Sequence, residues 1–296
     1  MSNPVARGTL LPPAIAEDMI QLVRGKSSLA RLSKAEPIPF NGIDFFTFDF
    51  DNEVSIVGEN EAKVGGGVTV DTVRARPYKF EYGARFSDEF IYGTEEYKLD
   101  VLRRFAEGFA AKAARGLDIA GFHGVNPRSG TASAAVGNNN FDSAVSQSVT
   151  STVNADNDVE SAVALVQGND LDISGMAMAP AFRSALAALT KQDGSKLYPE
   201  LGWGKTPGTI NGLPVDANST VSFGSSKDLA IVGNFEDFFR WGYAKDISIE
   251  VIRYGNPDND ASKGDLAGHN QVYLRGECYI GWGILLPDAF AKIVAP

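Results

Sequence analysis

The short motifs that could carry ligand-binding chemistry in this chain are incomplete. Residues 202–206 (GWGKT) match the end of a phosphate-binding loop, G-x-x-x-x-G-K-[ST], but Pro199 stands where that motif needs its first glycine. Residues 258–264 have the oxygen-rich composition of a calcium loop, yet the glycine is misplaced and His269 occupies the twelfth position, where a glutamate is required. We interpret both segments as polar surface loops and predict no cofactor and no metal site.

Side chains suited to nucleophilic catalysis are equally sparse. Cys278 is the sole cysteine, so the chain can form neither an internal disulfide nor a cysteine-based zinc site. The two histidines, His123 and His269, lie far apart and in no recognisable motif, and the sequence has no G-x-S-x-G element. We therefore predict no catalytic residue and expect that the protein is not an enzyme.

Composition and charge describe an acidic globular protein. Of 296 residues, 44% are hydrophobic and 22% are charged, which is ordinary for a folded domain. The 37 acidic residues exceed the 27 basic ones and give a net charge of −10, which argues against a dedicated reader of nucleic acid. No apolar run approaches the ~18 residues of a membrane span, and no secretory signal is visible at the N-terminus. We expect no membrane partner.

The alternation of apolar and polar residues after position 45 predicts a long β-hairpin. Phe46, Phe48 and Phe50 fall on one face of a first strand, a glycine-rich tip follows at 58–67, and a second extended stretch covers 68–85. Such a ribbon is marginally stable alone, so we expect it to lie on a neighbouring surface. Residues 1–45 are broken by prolines, leave room for one helix near 14–23, and are typical of an arm.

The remaining pattern predicts a mixture of helices and strands. Thr94 is typical of the N-cap of a long helix, about 22 residues, that ends near Gly121. Asn157 is predicted to open a second helix that ends at Gly168, and Pro180 a third that reaches Thr190. Strands are predicted at 175–179, 230–232, 247–252 and 271–280. Because no βαβ unit recurs at a fixed period, the fold class is predicted to be α+β.

This order of elements resembles the major capsid proteins of tailed bacterial viruses, the HK97-like fold, over nearly the whole chain. The segments that carry the resemblance are the hairpin at 54–86, the long helix from 94 closing in LDIAGFHGVNPRSG (117–130), GMAMAPAFRSALAALTKQDGSKLY (175–198), INGLPVDAN (210–218), IVGNFEDFFRWG (231–242) and NQVYLRGECYIGWGILLPDAFAKI (270–293). Asn234 departs from the family's usual aspartate in its G-D-F segment. Each segment alone is weak evidence, whereas six in the right order are specific.

The resemblance implies how the chain is divided. We expect an N-terminal arm at 1–45, an E-loop at 46–86, a P-domain at 87–130 and 246–281 with a long spine helix, and an A-domain at 131–245 and 282–296. The implied function is that of a major capsid protein that self-assembles through hexamers and pentamers into an icosahedral shell enclosing double-stranded DNA. The protein would lie in the virion capsid after assembly in the cytoplasm of a bacterial host.

The resemblance also implies partners. We expect other copies of the chain, packaged double-stranded DNA held by non-specific contact, a portal and a separate scaffolding protein, with a decoration protein as a further candidate. The candidates for subunit contacts are Glu59, Glu61, Lys63, Arg74, Arg76, Arg85 and Trp203. The alternative interpretation for the charged candidates is that they are simply solvated.

Some members of that family join their subunits by an isopeptide bond between an E-loop lysine and an asparagine, assisted by a glutamate. Asn270 and Glu277 lie at fitting places for this chemistry. Residues 71–74 (DTVR) stand where the lysine would be expected, and Lys63 and Lys79 are displaced from it. We therefore do not expect the crosslink to form.

Two other functions remain as alternatives at this point. An encapsulin, the shell protein of a bacterial nanocompartment, has the same fold and would carry an N-terminal helix suited to cargo peptides, whereas residues 1–13 are broken by prolines. A soluble hydrolase or nucleotide-binding enzyme would need a cluster of titrating groups in a concave site. The sequence offers no motif for that cluster.

Overall fold

The structure is a computed structural model that describes residues 26–204 and 208–296, so the helix expected near 14–23 lies outside the described residues. The α-helices are α1 Ser28–Leu32, α2 Glu89–Tyr92, α3 Glu95–His123, α4 Phe141–Ala144, α5 Ala155–Gln167, α6 Pro180–Ala188 and α7 Phe235–Phe238. The strands are β1 Ile43–Phe50, β2 Val68–Ser87, β3 Ser148–Thr150, β4 Gly175–Met178, β5 Thr209–Ile210, β6 Leu213–Ala217, β7 Asp228–Gly233, β8 Phe239–Ile252, β9 Gln271–Ile284 and β10 Phe290–Val294. Single 3-10 turns lie at Pro199–Leu201, Ala267–His269 and Pro287–Ala289.

Two sheets organise these elements. The first has four antiparallel strands in the order β1-β2-β9-β8. The second has six strands in the order β3-β10-β7-β4-β6-β5, in which the pairs β3/β10 and β4/β6 are parallel. Helices pack beside both sheets, so the predicted α+β class is confirmed.

The long helix α3 is the element that crosses the body of the protein. Its Thr94 N-cap accepts a hydrogen bond from the backbone N–H of Tyr97, as predicted, but the helix has 29 residues and passes through Gly121. The helix ends two residues beyond the predicted end near Gly121, because a glycine inside a helix costs only about 1 kcal/mol. The predicted length of about 22 residues was too short. The left-handed residue that ends the helix is Gly124, with φ 65°. Gly121 instead leaves room for Leu29 of α1, whose Cδ1 would lie 2.6 Å from an added Cβ.

The buried face of α3 packs on the four-stranded sheet. Leu102, Phe109 and Leu117 are buried in one hydrophobic cluster with Trp282 of β9. The helix approaches closely because Gly276 carries no side chain: an added Cβ would meet the ring of Phe109 at 2.8 Å. A second cluster lies under α5 and α6, against the six-stranded sheet.

The start of α5 differs from the prediction. The N-cap is Asn154, whose side chain accepts from the N–H of Asp156, and not Asn157. Asp158 is buried and accepts hydrogen bonds from Ser151 and Thr152, so the preceding loop folds back on the first turn. Strands β8 and β9 have 14 residues each and are longer than predicted because each pairs with the other along most of its length.

Candidate assembly surfaces

The hairpin formed by β1 and the first half of β2 presents an apolar face to solvent. Its register places Phe48 opposite Val70 and Phe50 opposite Val68. We call the exposed set Phe46, Phe48, Phe50, Val68 and Val70 the ribbon face. The three phenylalanines are exposed by 63%, 62% and 73%. The predicted alternation is confirmed, and a contiguous apolar surface of this kind marks an interaction site.

The ribbon is rooted in the body through β2 itself. Residues 68–75 pair with β1, whereas residues 76–87 pair with β9, from Arg76 opposite Trp282 to Ser87 opposite Gln271. The loop 51–67 forms the tip, and every residue in it is exposed. Glu59, Glu61 and Lys63 lie there as expected, with Glu61 Oε2 accepting from the N–H of Gly58 at 3.0 Å. Their contact with another subunit stays a prediction.

Two of the three candidate arginines are exposed near the base of the ribbon. Arg74 donates to the carbonyl of Asn41 at 2.9 Å and lies 3.4 Å from Asp44, with half of its side chain still exposed. Arg76, two residues further along β2, is also exposed. Both positions can reach a neighbouring molecule.

Arg85 differs from Arg74 and Arg76, because only 7% of its side chain is exposed. Its guanidinium donates to both carboxylate oxygens of Asp258, at 2.9 and 2.5 Å. It also donates to the side chains of Asn256 and Gln271 and to the carbonyls of Lys263 and Gly264. Arg85 therefore holds the 253–270 loop against β2 within its own chain. Because its guanidinium is occupied by these bonds, Arg85 does not lie on the exposed assembly surface. The pair with Arg85 lowers the pKa of Asp258 to about 2.

The segment 258–264, whose composition resembles that of a calcium loop, is a turn whose carboxylates form ion pairs within the chain. Asp258 is held by Arg85, and Asp260 lies 3.1 Å from Lys263. Ser262 donates to the same Asp260 carboxylate. The carboxylates are therefore paired with cations and donors of the chain itself.

Glu277, the candidate helper of a crosslink, is paired within the chain. Lys79 Nζ lies 2.7 Å from Glu277 Oε1, across the β2/β9 pair. Burial raises the pKa of Glu277, but Lys79 and Arg275 together outweigh it and hold that pKa below its ordinary value. Asn270 precedes β9 in a left-handed conformation, and its carbonyl accepts from the N–H of Asp88. The absence of a crosslink stays a prediction.

Trp203 lies on the loop that follows the 3-10 turn Pro199–Leu201. Its side chain is fully exposed, and Arg183 shapes the loop by donating to the carbonyls of Gly202 and Gly204. An exposed tryptophan between glycines is the type of residue that anchors protein–protein contacts. Its expected interface role is a prediction.

Asp118 is a functional residue that sequence reasoning missed. It is completely buried in α3, and its carboxylate accepts from five donors. Three come from the start of α1: Ser27 Oγ at 2.5 Å, Ser28 N at 2.9 Å and Leu29 N at 3.1 Å. The other two are Asn218 Nδ2 and Thr220 Oγ1. Burial raises the pKa of Asp118 to about 6. This carboxylate fixes the start of α1 to the body.

Membrane insertion has no candidate helix in the described ranges. Over residues 26–204 and 208–296, every helix is too short or too polar to traverse a bilayer.

Comparison with known proteins gives a consistent result over almost the whole chain. The model of the phage capsid family matches residues 7–295. A chain in the solved structure of Mycobacterium phage Ogopogo is 32% identical, with a TM-score of 0.77 and 92% of each chain covered. A chain of Gordonia phage Cozz is 24% identical, with a TM-score of 0.74, all of this chain and 91% of that chain covered. The capsid of an empty GTA particle, computed with C5 symmetry, is 14% identical with a TM-score of 0.65, covering 100% of this chain and 94% of that one. No curated protein matches the chain.

Proposed function

We propose that this chain, which belongs to the phage capsid family and acts as a shell protein of the virion capsid, packs its ribbon face on a neighbouring copy. This contact would close the shell. The HK97-like α+β fold expected from the sequence is confirmed by the solved phage structures. The nanocompartment and enzyme alternatives are not favoured.

The observation that carries the proposal is the exposure of the ribbon face. Phe46, Phe48 and Phe50 stand more than half exposed on a two-stranded extension. Burying apolar surface contributes about 25 cal/mol per Å², so another molecule that covers the ribbon gains free energy from it. A shell of identical subunits provides such a molecule at every position by symmetry.

The finer architecture follows from the same premise. We propose hexamers and pentamers as the building units, an icosahedral shell as the product, and double-stranded DNA as the enclosed cargo. The acidic net charge of −10 favours loose, non-specific contact with that DNA. A portal, a separate scaffolding protein and a decoration protein are proposed partners, and assembly is proposed to take place in the cytoplasm of a bacterial host.

The division into an arm, an E-loop, a P-domain and an A-domain also stays a proposal. The boundaries at 245/246 and 281/282 fall inside strands β8 and β9. Strand β9 runs regularly through 281/282, whereas β8 continues through 245/246 with shifts in its register against β9. The two units would thus share continuous strands, which favours a rigid connection between them.

A charge introduced on the ribbon face tests the proposal. Phe48→Lys places an ammonium in the centre of the ribbon face, whereas Thr69→Lys places one on the opposite face of the same hairpin. We expect Phe48→Lys to stay soluble but to fail to form closed particles in electron micrographs, and Thr69→Lys to assemble as the wild type does. Normal particles from Phe48→Lys would refute the role of the ribbon face.

The charged tip allows a second test. Reversal of Glu59 and Glu61 to lysine is expected to leave the subunit soluble and to impair closure of the shell. Exposed ion pairs contribute only about 0–1 kcal/mol each, so the effect depends on repetition over many contacts. Unchanged assembly would leave these two glutamates as simply solvated residues.

A further inference from the structure

A compact group of metal-ligand side chains lies at the C-terminal end of α3, separate from the assembly surfaces. His123 Nδ1 is 2.8 Å from Asp142 Oδ2 and 3.9 Å from Asp228 Oδ2. The ligand atoms of the three residues all lie within 4.8 Å of one another. His123 ends α3, Asp142 lies in the first turn of α4, and Asp228 begins β7. Three elements therefore converge on one point.

The second nitrogen of the imidazole determines what the first can do. His123 Nε2 is 2.9 Å from the carbonyl oxygen of Thr220. A carbonyl only accepts, so Nε2 carries a proton and donates it. In the neutral ring, Nδ1 then directs a lone pair at the two carboxylates. This backbone hydrogen bond behind the ring is the arrangement that orients metal-binding histidines.

Asp228 supplies an independent observation. Only 6% of its side chain is exposed, and its Oδ2 has no hydrogen-bond partner among the described residues. Leaving a buried carboxylate oxygen without a partner is costly. Lys292 Nζ donates to the backbone carbonyl of Asp142 at 3.2 Å and contributes one positive charge nearby. Counted with both carboxylates ionised and the imidazole neutral, the three side chains and Lys292 carry one net negative charge, which a bound cation would offset.

We propose that His123, Asp142 and Asp228 bind one divalent transition-metal ion of the zinc class. One imidazole nitrogen and two carboxylate oxygens are ligands that Zn²⁺ accepts. Three protein ligands are too few for Ca²⁺, which takes six to eight oxygens. Asp142 is 34% exposed, so the ion can enter from solvent and keep a water in its remaining position. The bound ion would tie the end of α3 to the six-stranded sheet.

Zinc binding by the purified, chelator-treated full chain tests the proposal. We expect one Zn²⁺ per chain by mass spectrometry of metal after gel filtration, and a higher Tm in the presence of Zn²⁺. Asp228→Asn and His123→Gln should each weaken the affinity by about tenfold or more. His269→Gln is the matched control, because it removes the other histidine, whose Nδ1 contacts only the backbone carbonyl of Asp265. It should bind zinc as the wild type does.

The outcomes distinguish two explanations of the cluster: a bound metal ion, or a proton shared by the three side chains. Zinc that binds equally to wild type and Asp228→Asn, or no stoichiometric zinc at all, overturns the proposal. If Asp228→Asn does not fold by circular dichroism, the more exposed Asp142→Asn replaces it, with the same expectation. Loss of zinc in the ligand variants and its retention in His269→Gln supports the site.

Discussion

The ribbon and the body of this protein both contain strands with alternating apolar residues, but the apolar face is buried in the body and exposed on the ribbon. Strand β9 of the four-stranded sheet buries Val272, Leu274 and Cys278 on one face, so these apolar side chains contribute to the stability of the single chain. On the ribbon, Phe46, Phe48 and Phe50 alternate just as regularly and remain exposed. The difference shows that an alternating strand specifies an apolar face without specifying which molecule covers it.

Strand β2 passes from one region to the other. Its first eight residues have β1 as their partner, whereas the following twelve are bonded to β9 and lie near α3. The second part is held by packing between β2 and β9, such as Tyr78 against Trp282, with ring centroids 4.4 Å apart. In the first part, residues 68–72 are all exposed, and packing on the body begins only near Ala75. Stability of the ribbon should therefore depend on assembly, and stability of the body should not.

The largest expected difference comes from truncating one aromatic residue in each region. Trp282→Ala removes a fully buried ring whose Nε1 donates to the carbonyl of Asn139, and should reduce the free energy of unfolding of the unassembled chain by about 3–5 kcal/mol. Phe48→Ala should change it by no more than about 0.5 kcal/mol. Denaturant unfolding of both variants measures the contrast. Equal losses would mean that the ribbon is packed on its own body.

The next effect concerns the start of α1. Asp118→Ala leaves four buried donors without their acceptor and should destabilise the chain by about 3 kcal/mol. Because three donors belong to Ser27, Ser28 and Leu29, limited proteolysis should cut the variant first near α1. Phe48→Ala serves as the control with no change there. If α1 stays resistant in Asp118→Ala, the carboxylate does not anchor it.

Thiol reactivity provides a smaller and more local comparison. Cys278 is buried, and burial raises its thiol pKa to about 12, so it should not react with a thiol reagent at about pH 8 unless the chain unfolds. A cysteine introduced by Val70→Cys on the ribbon face should react at once in the free chain and become protected in the shell. Continued reactivity after assembly would show that the ribbon face is left uncovered.

The smallest effect is the pH dependence of the Arg85 network. Arg85 lowers the pKa of Asp258 to about 2, below its ordinary value of 3.8. A carboxyl whose pKa is lower in the folded state stabilises the fold above the unfolded pKa and loses that contribution as pH falls through the folded pKa. Asp258→Asn should thus lower Tm at about pH 6, and the difference from wild type should vanish near pH 2. A difference independent of pH would assign the effect to packing.

The sequence by itself determined the elements whose signals are local. Thr94 caps α3, Pro180 begins α6, and the alternation at Phe46, Phe48 and Phe50 forms β1 as predicted, because each signal acts over a few neighbouring residues. The order of those elements was enough to indicate the fold and the family.

Tertiary structure alone decided which distant side chains meet. Asp118 lies about ninety residues from the serines it binds. Arg85 was expected at a subunit contact until its partner Asp258, 173 residues away, was located. His123 looked isolated because Asp142 and Asp228 reach it from two other elements. Hydrogen bonds and ion pairs act over a few ångströms of space, and the chain's register in the sheets, which no short motif encodes, determines which residues come within that range.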